Sequence, residues 1–100
     1  MSEVLNAVAS RFESGATLTH GSAKAAFEAG LQRIAAGATC VDCAPLVHFD
    51  STALAVLLAW ERAAQARGVV FEIVNLPAGL ASLAQAYGVD TLLCRPELAL

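Results

Sequence analysis

Apolar residues recur with a helical period between Ser22 and Gly37, where Phe27, Leu31, Ile34 and Ala35 stand at i, i+4, i+7 and i+8. That spacing gathers them on one face of an amphipathic helix, which Ser22 can cap and Gly37 can end. A second helix is predicted from about Ser51 to Ala66, stopping before Gly68. It is apolar all round for two turns, Ala53 through Trp60, before Glu61, Arg62, Gln65 and Arg67 crowd its far end. Asn75-Leu76-Pro77 begins a third, with Pro77 near the first turn and Leu80, Leu83, Ala84 and Tyr87 on one face before Gly88.

The intervening stretches read as strands. Thr39 to Cys43 is short and is followed by a loop holding Pro45, whereas Val69 to Val74 is nearly all apolar, as in a strand buried on both faces of a parallel sheet. Ser14-Gly15 separates Val8 to Glu13 from Ala16 to His20, and Leu18 faces opposite to Thr17 and Thr19, which is the pattern of a hairpin. Val89 to Leu93 reads as a last edge strand, and Met1 to Ala7 carries no clear pattern. The order β-β-α-β-α-β-α predicts a small α/β sandwich: a mixed sheet with an N-terminal hairpin and packed helices. At 100 residues this is one domain over 1–100, with its core at about 8–93.

Composition narrows the function classes. The chain is 57% hydrophobic, far from the regime of disordered chains, and alanine fills 22 positions, so small residues set the packing of its helices. Six basic and nine acidic residues leave a formal charge of −3, and Arg11, Arg33, Arg62, Arg67 and Arg95 form no stripe, which argues against nucleic acid as a partner. The apolar run between Asp50 and Glu61 is shorter than the ~20 residues a spanning helix needs, so direct membrane insertion is not expected. Glu3, Asn6 and Ser10 interrupt Met1 to Phe12, against an export signal, and a cytoplasmic location is expected. Three cysteines fit reduced thiols there.

Cys40-Val41-Asp42-Cys43 is a C-x-x-C, but on a strand residues three apart point to opposite faces and lie roughly 10 Å apart, beyond disulfide reach. It lacks the helix N-terminus that a redox pair uses and the second ligand pair that zinc needs, so buried structural thiols are expected. His20 and His48 are isolated, and no phosphate-cradling glycine loop or nucleophile elbow is present. The informative cluster is Asp50-Ser51-Thr52, where a loop turns into the apolar helix. Asp or Ser there can cap the free backbone N–H groups, and a hydroxyl at an exposed helix start can also be phosphorylated, adding charge where a partner would dock. One face of this helix must pack on the sheet; the other is either covered within the domain or left as an apolar docking surface.

The tract Asp42-Cys43-Ala44-Pro45-Leu46-Val47-His48-Phe49-Asp50-Ser51-Thr52-Ala53-Leu54 resembles the strand, loop and helix start of the STAS domain family, small α/β modules that include anti-sigma-factor antagonists. Val74-Asn75-Leu76-Pro77, Leu80, Leu83-Ala84, Tyr87-Gly88-Val89 and Leu92-Leu93 are similar to the family's Mla-type (MlaB-like) branch, the small cytoplasmic subunit of a phospholipid-transport ABC system. The resemblance implies a non-enzymatic accessory subunit without cofactor or metal. Such a subunit binds and regulates the transporter's ATPase subunit, serves outer-membrane lipid asymmetry, and is peripheral to the inner membrane through that complex. Asp50, Ser51, Thr52, Ala53, Ala55 and Val56 are the partner-binding residues it points to, with Ser51 matching the Ser or Thr directly after the Asp. The alternative it implies is an anti-sigma-factor antagonist whose partner is a Ser/Thr kinase. Phosphorylation would then fall on Thr52 or Ser51, and Ala53 stands where that branch commonly has glycine, its Cβ expected beside the hydroxyl.

Overall fold

A computed structural model of the chain describes residues 11–89. Its elements run β1 (Arg11–Glu13), β2 (Thr17–Leu18), α1 (Ala23–Ala35), β3 (Cys40–Asp42), β4 (His48–Phe49), α2 (Thr52–Ala66), β5 (Glu72–Val74) and α3 (Ala78–Ala86). The α/β class and the three helices agree with the hydrophobic pattern. The expected strand entering from Val8 to Ser10, the stretch beyond Val89 expected as an edge strand, and Cys94 lie outside the described residues.

Among the described residues the hairpin is not formed: β1 and β2 do not pair with each other. β1 pairs in parallel with β3, Phe12 opposite Val41, and β3 pairs in parallel with β5, Val41 opposite Ile73, so the sheet order is β1-β3-β5. β2 pairs in parallel with β4, Leu18 opposite Phe49, in a separate two-stranded sheet. Every strand pairing among the described residues is thus parallel, where a mixed sheet was expected. The reason lies at Ser14-Gly15, the supposed turn. Gly15 sits at φ +85°, but the polar groups beside it bond across to the β3–β4 segment: the Ser14 N–H donates to the Asp42 carbonyl at 3.0 Å, and the Ala16 carbonyl accepts from Val47 and His48. Arg11 stands opposite Cys40 and Thr17 opposite His48, so the β3–β4 side carries two more residues, accommodated around Pro45. A break in one strand, with its partner looped out, has the same local signature as a hairpin turn.

The helices cover one face of the sheet. Phe12, 5% exposed, meets the Trp60 ring edge-on with centroids 5.2 Å apart, and the Trp60 indole N–H donates to the Phe27 carbonyl of α1 at 3.1 Å. Trp60, Leu57, Leu18, Val41 and Leu80 form the centre of the core. The Val69 to Val74 stretch is therefore not buried on both faces: Val70 is 75% exposed and Glu72 lies in solvent. Among the described residues no helix is long and apolar enough to cross a membrane.

Candidate functional site

α2 begins where β4 ends, and the carboxylate of Asp50 organises that junction. Its Oδ1 accepts the Thr52 N–H at 2.8 Å, and its Oδ2 accepts the His20 N–H at 3.0 Å from the turn that leads into α1. The Asp50 carbonyl meanwhile accepts the Ala53 N–H, and its own N–H reaches the Leu18 carbonyl at 3.4 Å. Ser51 already has helical dihedrals (φ −64°, ψ −19°) and makes no capping bond with its side chain. Of the two residues that could cap this helix, Asp50 does so, satisfying donors that a helix start leaves free and placing negative charge at its positive end. The N–H of His20 first, then that of Thr52 with its hydroxyl, holds the Asp50 carboxyl below the usual carboxylate range.

The predicted site residues divide by exposure. Ser51 and Ala55 face solvent, and Asp50 and Thr52 are half-buried. Ala53 is 0% exposed and Val56 is 6% exposed. Helical geometry turns the position after Thr52 inward, so Ala53, expected among the partner-binding residues, packs with Leu54 and Leu57 onto the core. Val56 keeps one edge in a groove of about 350 Å³ between α1 and α2, lined by Ala23, Lys24, Phe27, Ala55, Val56 and Ala59. Ser51, Ala55 and Ala59 follow at i, i+4 and i+8, so the helix start and the groove share one side of α2.

His20 and the α1 wall of the groove were missed by sequence reasoning. A backbone N–H donor has no residue signature, and Phe27 reads simply as part of the buried face of an amphipathic helix. The His20 and His48 side chains are exposed and belong to no cluster of metal-binding groups among the described residues. Cys40 and Cys43 are free thiols; Cys43 is 0% exposed, and burial pushes its thiol up to about 11, the opposite of the lowered value a redox cysteine uses. At the carboxyl ends of the parallel strands Asp42 accepts from Arg11, the Ala44 N–H and the Asn75 amide, three donors that satisfy its carboxylate.

Comparison with known families gives the fold a place. No curated protein matches the chain. The family model described as "Mlab, STAS domain" matches residues 8–94, which spans the whole sheet, all three helices and the Asp50 junction. With most of its length matched by that model, the chain belongs to the STAS domain family, on its MlaB-like branch.

Proposed function

We propose that this STAS domain is a non-enzymatic accessory subunit that docks through the start of α2 on the ATPase subunit of an Mla-type phospholipid-transport ABC complex and regulates it. The observation that carries the reading is the union, on one side of α2, of an exposed hydroxyl at Ser51 with an apolar strip at Ala55 and Ala59 beside an open groove. A partner helix can bury apolar area there while hydrogen-bonding the hydroxyl, which is how helix-in-groove contacts combine affinity with register. Regulation would follow from binding one ATPase conformation more tightly than another. Location at the cytoplasmic side of the inner membrane, and any part in outer-membrane lipid asymmetry, come through that partner.

The test is calorimetric affinity for the purified ATPase subunit, with melting temperatures alongside. Ser51→Glu places a carboxylate at a helix start, where the dipole favours it by about 0.3 to 1 kcal/mol, so the fold should keep its stability. A partner surface would have to desolvate that charge, and affinity should fall by about tenfold or more. Ser51→Ala should cost less, since it removes hydrogen bonds worth roughly 0.5 to 1.5 kcal/mol each and adds no charge. Wild-type affinity in a folded Ser51→Glu variant would remove the helix start from the interface.

The second reading, an anti-sigma-factor antagonist switched by a Ser/Thr kinase, rests on the exposed Ser51 hydroxyl at the helix start. An affinity pull-down from the native organism separates the two readings. An ABC ATPase is expected as the recovered partner, and a kinase-like anti-sigma factor would favour the alternative.

A further inference from the structure

Among the described residues, Asp50 hydrogen-bonds the start of α2 to the turn before α1, with a different oxygen for each. We propose that this carboxylate is a clasp that couples the two helix starts, and that it responds to charge on Thr52 but not to charge on Ser51. The geometry is what couples them. A carboxylate is rigid, so a rotation or retreat that withdraws Oδ1 from the Thr52 N–H also moves Oδ2 off the His20 N–H. The other ties of that turn are local: Ser22 Oγ accepts the Thr19 N–H at 3.1 Å, and the Ser22 N–H donates to the Thr19 carbonyl. Releasing His20 therefore loosens the segment that leads directly into Ala23 and Lys24, the α1 wall of the groove.

The two neighbouring hydroxyls differ in their relation to this clasp. Thr52 is half-buried and its own N–H is bonded to the Asp50 carboxylate, so an anionic group on that side chain would stand against a like charge and expel it. Ser51 is exposed and its side chain makes no capping bond, so an anionic group there extends into water. Charge on Thr52 thus opens the turn at α1, across the groove, whereas charge on Ser51 alters only the surface where it sits. The inference concerns the same surface as the proposed docking site but holds whichever partner binds.

Amide hydrogen exchange by NMR on the isolated chain tests this without a partner. Thr52→Glu should speed exchange of both the His20 and Thr52 amides by roughly tenfold, the loss of about one hydrogen bond each, while Ser51→Glu leaves both within about twofold of wild type. Asp50→Ala should expose both amides, and Asp50→Asn, with a single remaining carbonyl oxygen, should expose one of the two. Should these variants unfold, wild type carries the test alone: the His20 and Thr52 amide proton shifts should move together through one acid titration, that of Asp50, with His20 as the ionisable side chain whose charge bears on it. Separate midpoints for the two amides, or an unchanged His20 exchange rate in a folded Thr52→Glu variant, would overturn the clasp.

Discussion

Gly30 has no room for a methyl group. A Cβ there would lie 2.3 Å from Cε2 and Nε1 of Trp60, whose ring is fixed by its bond to the Phe27 carbonyl and by Phe12. Glycine inside a helix ordinarily costs up to about 1 kcal/mol relative to alanine, so Gly30→Ala at an open site would stabilise α1. Here the clash opposes that gain: overpacking of a filled core costs roughly 1 to 3 kcal/mol, and the indole cannot retreat without losing its hydrogen bond. A net loss is expected in urea unfolding. It should shrink when Trp60→Leu makes room, giving a coupling energy in the double-mutant cycle. A more stable Gly30→Ala single variant would mean that the close approach of α1 and α2 is not fixed by this glycine.

Along α2 the faces alternate sharply, and neighbouring alanines have opposite duties. Ala53 is fully buried and Ala55 exposed, so Ala53→Leu should destabilise by roughly 1 to 3 kcal/mol while Ala55→Leu stays within about 0.5 kcal/mol of wild type. Thermal melting of the pair checks the assignment, and equal losses would contradict it. The helices themselves were readable because a 3.6-residue period is written in the local sequence: Phe27 and Ile34 of α1, Leu80 and Ala84 of α3. Strand pairing is not local. The alternation at Thr17-Leu18-Thr19 correctly turned Leu18 inward, but no pattern near Leu18 names Phe49 as its neighbour, and a two-residue strand such as β4 is too short to show a period. The same divide runs through the site. Asp50-Ser51-Thr52 announced a helix start by residue type, whereas the backbone N–H of His20 and the α1 side of the groove depend on which helix lies alongside.

Asp42 ties the molecule together at the edge where the parallel strands end, joining Arg11 of β1 at 3.1 Å to Asn75, the residue after β5, at 2.9 Å. Asn75 is held at φ +59°, a left-handed conformation that Asn tolerates better than most residues, and this aims the chain into α3. The Asn75 amide first, then the Ala44 N–H and Arg11, keeps the Asp42 carboxyl below the usual carboxylate range, as His20 and Thr52 do for Asp50. Both groups bind a proton less readily folded than unfolded, so their contribution is fully present above the ordinary carboxylate range and is lost as pH falls through their lower folded values. Cys43 acts in the opposite sense. Its buried thiol keeps a proton up to about 11 while the unfolded thiol releases it at 9.0, so its contribution is present below pH 9.0 and is lost as pH rises toward 11. The urea midpoint should therefore be nearly level from about pH 5 to about pH 9 and decline on both sides. Asp42→Asn, which cannot ionise, should make the acid limb shallower, and Cys43→Ala should do the same on the alkaline side without changing the acid limb. If the alkaline limb of Cys43→Ala falls as steeply as that of wild type, the buried thiol is not the group whose ionisation opens the fold.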